Sequence, residues 1–177
     1  YLQGEAKVEE VPAFLEVIIN ETNRLDTVVS QFLSYARPFE VHAAVCDTNA
    51  IIRHTIDLVR AEGLAEQVTL VTQLAPGLPP IILDPDKLGQ MMLNLVQNAL
   101  HAVGDEGEVM IRTGMGTLTA PPNRGNPAFV VSVKDSGDGI APEHLEKLFI
   151  PFFTTKREGT GLGLAICRRM VEAHGGE

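Results

Sequence analysis

The sequence predicts an α/β domain preceded by a separate amphipathic helix, and three observations carry that reading. Between Val11 and Ala36 apolar residues recur at alternating three- and four-residue steps. From Phe39 onward, short strand-like runs are interleaved with longer segments of helical period. Glycine and proline clusters punctuate that second part at turn positions. The expected division is residues 1–38 for the helical part and 39–177 for the α/β part.

In the first helix Leu15, Ile18, Leu25, Val29 and Phe32, with Thr22 and Ala36 filling the gaps, form a heptad seam. Phe14, Val28 and Leu33 widen it, as in a helix of a four-helix bundle. The helix is expected to stop before Pro38, because the residue preceding a proline is pushed away from helical geometry. Ahead of it, Gly4 to Glu10 is polar and reads as a loop, and Tyr1 to Gln3 as the stub of an element cut away upstream. A lone amphipathic helix needs a surface for its stripe, either its own globular domain or another helix.

Residues about 41–46 read as a short strand, and Asp47 or Thr48 as the cap of a helix that reaches about Glu62 and ends at Gly63. Val68 to Leu74 alternates like a strand. Asp84-Pro85 is a helix start, and Leu88, Met91, Met92, Leu95, Val96, Ala99, Leu100 and Val103 follow at helical spacing on one broad face. Glu108 to Thr113 and Phe129 to Lys134 read as paired strands. Their connection, with Gly114, Gly116, Pro121, Pro122, Gly125 and Pro127, is expected to be irregular. A last helix is expected from about Gly161 to Ala173.

At 177 residues, 45% hydrophobic and 21% charged, the composition is that of an ordinary globular protein. A formal charge of -9 argues against a nucleic-acid surface, which needs clustered Lys and Arg. The apolar runs are too short or too interrupted to span a bilayer, and the start lacks the order of a signal peptide, so this stretch is expected to be soluble and cytoplasmic. Cys46 and Cys167 lack metal-ligand or CxxC spacing and are expected to be buried small apolar residues.

Three segments carry chemistry. Asn94 and Asn98 lie four apart on one helix face, with Gln90 and His101 at compatible spacing. From that spacing alone they fit either a solvated polar face or neutral oxygen ligands for a hydrated Mg²⁺ that bridges phosphates. The run Asp135-Ser136-Gly137-Asp138-Gly139-Ile140 follows a strand. It reads equally as a turn or as a site where a carboxylate accepts a hydrogen bond from the adenine amine. Gly159-Thr160-Gly161-Leu162-Gly163-Leu164 enters a helix, where free N–H groups favour an anion. It is not a Walker loop, since no Gly-Lys-Ser/Thr follows.

In combination these segments resemble the histidine kinases of two-component systems. Asn94 to Ala99 is similar to their N box, Asp135 to Ile140 to the G1 box, Leu148 to Phe153 to the F box and Gly159 to Leu164 to the G2 box. Asn23-Arg24-Leu25 through Phe32 to Pro38 resembles the second helix of the dimerisation and phosphotransfer hairpin. Phe152-Phe153-Thr154-Thr155-Lys156, closely followed by the G2 glycines, is most similar to nitrogen-regulation sensors with a short ATP lid.

The resemblance implies the Bergerat (GHKL) fold, a two-layer α/β sandwich with a mixed sheet, preceded by a remnant of the dimerising hairpin. It implies ATP and Mg²⁺ as cofactors, with Asp135 reading adenine, Asn98 holding the metal, and Asn94 and Lys156 at the reaction centre. Gly137 and Gly139 would shape the adenine pocket, and Gly161 and Gly163 would let the lid backbone reach phosphate. The implied nucleotide contacts further include His101, Ile140, Phe149, Phe152, Thr154, Thr155, Gly159, Thr160, Leu162 and Leu164. Lys156 or Arg157 would face the γ-phosphate, although a solvated surface cation fits either residue equally, as a polar surface His fits His101.

None of His42, His54, His101, His144 or His174 has the following acidic residue of the family's acceptor histidine. The acceptor is therefore expected upstream of Tyr1, and the domain is expected to continue beyond Glu177. The partners implied are a second copy through helix 11–36 and the receiver domain of a response regulator. A membrane would be reached only through upstream segments, with the full-length protein anchored at the inner membrane.

Gyrase B subunits, MutL proteins and heat-shock chaperones resemble one another in placing a Glu four residues before the Mg²⁺ asparagine. Here that position is Asn94, which cannot serve as a general base, and this disfavours hydrolysis. A binding module that holds nucleotide or a partner without chemistry is the remaining alternative.

Overall fold

The computed structural model describes residues 11–36, 40–65, 67–156 and 159–177. The loop and stub expected over residues 1–10, the stop before Pro38 and the reading of Arg157 lie outside the described residues. The chain divides into two compact units, Tyr1–Pro38 and Phe39–Glu177.

In the first unit α1 spans Val11–Ala36. Its seam positions Leu15, Ile18, Leu25, Val29 and Phe32 are all exposed, so the heptad stripe is an uncovered apolar surface. Thr22 turns its hydroxyl back to the Ile18 carbonyl at 2.8 Å, which satisfies the one hydroxyl set into that stripe.

The second unit runs β1 (Ala44–Cys46), α2 (Thr48–Ala61), β2 (Val68–Gln73), β3 (Ile81–Leu83), α3 (Pro85–Val103), β4 (Gly107–Thr117), β5 (Pro127–Asp135), α4 (Pro142–Leu145) and α5 (Gly163–Ala173). β1 and β3 form a small antiparallel ribbon, and the larger sheet has the order β2-β4-β5. β4 runs parallel to β2 and antiparallel to β5, so the sheet is mixed. The parallel pair requires a long crossover, and α3 supplies it.

α2 and α3 cover one face of this sheet. Ile52, Ile56 and Val59 of α2 meet Leu88, Met92, Val96, Ala99 and Leu100 of α3 over Val109 and Ile111 of β4, all buried. Phe129, Val131 and Val133 of β5 close the same core from alternate strand positions. A polar latch fixes α2 to the sheet end. Asn49 donates to the Ala75 carbonyl and accepts from Thr113 Oγ1, both at 2.8 Å, while Ala75 N–H donates to Thr113 Oγ1 at 3.0 Å.

Three expectations are corrected. β4 does not end at Thr113 but continues through Gly114 and Gly116 to Thr117. The reason is cross-strand pairing with Val130 and Ala128, and a Cβ at Gly116 would lie only 2.8 Å from Val130 Cγ2, so glycine there serves the strand. The last helix begins at Gly163 rather than Gly161, because Gly161 has φ +68°. Cys167 is buried as expected, whereas Cys46 is only half-buried, its thiol 3.5 Å from the Ile81 carbonyl. The strand β3 and the one-turn helix α4 are additions.

Candidate functional site

α3 owes its position to its N-cap residue. Asp84, 2% exposed, caps the helix with one carboxylate oxygen accepting from Asp86 N–H and Lys87 N–H, both at 3.1 Å, and the other from His42 N–H at 2.8 Å. Burial pushes its pKa up, but these three donors and the Lys87 charge outweigh burial and hold the carboxyl below the usual range.

Further along α3, Asn94 and Asn98 both face the start of α5. A Cβ on Gly163 would lie 3.8 Å from Asn98 Nδ2 and 4.0 Å from Asn94 Cγ, which places the start of α5 beside the two amides. Burial pushes the pKa of the Cys167 thiol up to about 11, with the neighbouring Asn94 side chain acting to lower it, and the thiol donates to the Met91 carbonyl at 3.9 Å.

β5 ends at Asp135, opposite Val109. One oxygen of Asp135 accepts from Gly137 N–H at 3.0 Å, leaving its second oxygen for another donor. Gly137 is pressed onto the last turn of α3, where a Cβ would collide with the Ala102 carbonyl. Gly139, at φ +76°, borders open space. The end of β5 thus brings a carboxylate, and the C-terminal half of α3 two amides, to the neighbourhood of Lys156.

Residues 152–156 and 159–161 lie beside these groups. Phe152 N–H donates to the Gly161 carbonyl at 3.0 Å and pins the base of the loop. Phe152 itself has φ +67°, the one non-glycine residue so strained among those described. Within the loop Thr154 Oγ1 accepts from Lys156 N–H at 3.1 Å. Lys156 reaches α3, its Nζ 3.4 Å from Asn98 Oδ1 and 3.5 Å from the Asn98 carbonyl. Partial burial lowers the Lys156 pKa and the nearby Asp135 charge opposes this.

The four segments singled out in the sequence therefore meet at one place, with Asn98, Lys156 and Asp135 nearest its centre. Other expected site residues stand further out. His101 and Thr155 are exposed, as are Ile140, Phe149 and Phe152. Thr160 is half-buried, its hydroxyl accepting from Leu162 N–H at 3.3 Å, and Leu162 itself is buried. Sequence reasoning missed Arg168, whose guanidinium carbon lies 5.7 Å from the centre of the Phe149 ring. It also missed the binding of His174 to Asp84, although the buried cap was signalled by Asp84-Pro85.

A model of the histidine kinase-, DNA gyrase B- and HSP90-like ATPases matches residues 83–177. The chain belongs to that family. Its second unit is a histidine-kinase-type ATP-binding domain of Bergerat fold, as relatives and solved structures agree. The sensor histidine kinase ZraS of Salmonella typhimurium is 37% identical over 183 residues, which take in 99% of this chain and 38% of that protein. The sensory histidine kinase/phosphatase NtrB of Escherichia coli O157:H7 is 36% identical over 172 residues, 94% of this chain and 48% of that one. The histidine kinase ThkA, crystallised with the response regulator protein TrrA, superposes with TM-score 0.75 and 30% identity over 97% of this chain and 47% of its own. The chain spans less than half the length of each. No helix among the described residues is long and apolar enough to cross a membrane.

This histidine-kinase-type site suits a nucleotide with its metal. The close approach at Gly137 and the space beside Gly139 make a cradle that side chains would fill. The oxygens of Asn98 already converge on a cation, the Lys156 ammonium. Among the described residues no cluster of three or more His, Cys, Asp or Glu could hold a metal.

Proposed function

We propose that this domain binds Mg²⁺–ATP and donates the γ-phosphate to a histidine, as the catalytic part of a sensor histidine kinase, for relay to an aspartate on a response-regulator receiver domain. The observation that carries the reading is Asn94 beside Asn98 on the same wall. Four residues before the proposed metal ligand stands an amide, and an amide cannot take a proton from water. The γ-phosphate is thereby kept for a side-chain nucleophile.

In this reading the free oxygen of Asp135 accepts from the adenine amine, and the Asn98 amide oxygen is a ligand of Mg²⁺. Held there, Mg²⁺ would neutralise developing phosphate charge. Lys156 supplies a positive charge at the γ-phosphate, and the backbone of Gly161 and Gly163 approaches the phosphates at the start of α5. Thr154, Thr155, Gly159 and Thr160 shape the lid, and Phe149 and Phe152 its hinge.

The uncovered seam of α1 supports pairing with a second copy as part of a dimerisation and phosphotransfer hairpin spanning residues 1–38, with 39–177 as the catalytic domain. The sensor-kinase relatives align over nearly the whole chain, α1 included. The ThkA–TrrA complex supports a response regulator as partner. The domain acts in the cytoplasm, and any membrane anchor belongs to segments ahead of Tyr1, as does the acceptor histidine.

The test uses γ-labelled ATP with Mg²⁺. This chain alone binds ATP yet acquires no acid-labile phosphate, and addition of a separate hairpin carrying the acceptor histidine produces label on the hairpin. Stoichiometric label on any of His42, His54, His101, His144 or His174 would sink the reading.

A further inference from the structure

We infer that His174 is a positioning residue of the nucleotide site: by accepting the Asp84 N–H it sets the axial register of α5 against α3, and through that register the distance between the start of α5 and Asn98. The inference rests on the reading of Asn98 and the start of α5 as metal and phosphate contacts, and goes beyond it by naming what holds the two in place.

The contacts between α3 and α5 run along both helices. Asp84, the N-cap of α3, meets His174, the C-cap of α5, with the Asp84 N–H donating to Nε2 at 3.0 Å. Further along, the Cys167 thiol lies 3.9 Å from the Met91 carbonyl. At the far end a Cβ on Gly163 would lie 3.8 Å from Asn98 Nδ2. Residue numbers rise along α3 as they fall along α5, so the two helices run antiparallel. A helix rises by a fixed step of about 1.5 Å per residue, and a hold at one end therefore fixes the position of the other.

The remainder of the buried face of α5 is Ala165, Ile166 and Met170. Apolar contacts of this kind are non-directional, and a thiol is a weak donor. The bond to the imidazole is short and directional. His174 is exposed overall, where water could serve both ring nitrogens, yet Nε2 takes the Asp84 N–H and Nδ1 donates to the Met170 carbonyl at 2.7 Å. The Met170 bond stays within α5 and orients the ring. The Asp84 bond crosses to α3 and carries the register. Once it is lost other registers are populated, and apparent nucleotide affinity falls with the fraction of chains left in the competent one.

The test exploits the two ring positions. In His174→Gln the amide oxygen stands in for Nε2 and accepts from Asp84, whereas in His174→Asn the amide nitrogen stands in for Nδ1, keeping the Met170 bond and losing the tie. Calorimetry with a non-hydrolysable ATP analogue and Mg²⁺ should place His174→Gln within about twofold of the parent, and His174→Asn and His174→Ala about three- to tenfold weaker, the weight of one hydrogen bond. In the nucleotide-free chain, magnetic resonance should show the Gly163 N–H and Asn98 side-chain signals displaced in the Asn and Ala variants and parent-like in the Gln variant, with α2 and β4 amides as folding controls. Parent-like affinity or parent-like signals in His174→Asn, or a loss in His174→Gln equal to that in His174→Asn, overturns the inference. Should His174→Ala fail to fold, the contrast between Gln and Asn decides alone. Asn98→Ala is titrated beside them with and without Mg²⁺. If it loses the Mg²⁺ dependence while His174→Asn binds as the parent does, the inference fails alone; if it keeps the full dependence, the metal reading fails and takes the link from register to nucleotide with it.

Discussion

The backbone N–H of Asp84 donates to His174 Nε2 at 3.0 Å, and Nδ1 of the same ring faces the Met170 carbonyl at 2.7 Å. Because Nε2 accepts, the ring proton sits on Nδ1 and is donated to Met170. One imidazole thus ties the N-cap of the asparagine helix to the end of α5, the helix that the second glycine run leads into. The geometry of the nucleotide gap is set by this tie as much as by the residues that line it.

The tie uses the Asp84 backbone N–H and survives substitution, whereas the cap is the carboxylate, so Asp84→Ala should destabilise the domain by about 2–4 kcal/mol through a lost cap and buried donors left unpaired. Its folded pKa lies below its unfolded value. The contribution is therefore complete above the unfolded value of about 3.9 and disappears as pH falls through the folded one. Urea midpoints of the parent and Asp84→Asn should differ at pH 7 and converge toward pH 3; a gap that widened on acidification would refute the assignment.

Removing the carboxylate at the end of β5 tests base recognition. Asp135→Ala should weaken ATP by about 1.5–3 kcal/mol, the range of a charge-assisted hydrogen bond. Calorimetry on a variant with parent-like thermal stability measures this directly, and unchanged affinity would remove Asp135 from the site.

The two asparagines should behave differently. Asn98→Ala is expected to abolish the Mg²⁺ dependence of nucleotide binding or transfer, while Asn94→Glu should raise slow ATP hydrolysis by introducing a proton acceptor four residues earlier. Phosphate release, followed over a Mg²⁺ titration, separates the two. Hydrolysis by Asn94→Glu no faster than the parent would show that more than a missing base prevents attack by water.

Gly161→Ala should be costly although it adds one methyl group. The residue sits at φ +68° and a Cβ would run into the Phe152 backbone, so a left-handed penalty of roughly 1–2 kcal/mol is compounded by a clash that flexible side chains cannot relieve. Thermal unfolding should show the loss together with weakened nucleotide binding. Gly139→Ala has a similar φ but open space around it and should cost less, which isolates the clash.

Much of this molecule follows from local pattern. The bounds of α1 and α3, the mixed α/β character and the four chemical segments are legible because helical period, the Asp-Pro start and glycine-spaced turns act within a few residues of themselves. The amide in place of a carboxylate at Asn94 is likewise legible from the sequence alone. Other features required long-range contacts. The extension of β4 through two glycines depends on Val130 and Ala128 across the hairpin, and the three-residue strands β1 and β3 exist only through each other. The binding of Lys156 to Asn98 joins residues 58 positions apart, and that of His174 to Asp84 joins residues 90 apart. No local propensity encodes such pairs. Sequence by itself determined which groups are available for phosphate chemistry, while tertiary packing decided which of them meet, because side-chain contacts across the core are set by how α3, β5 and α5 pack together.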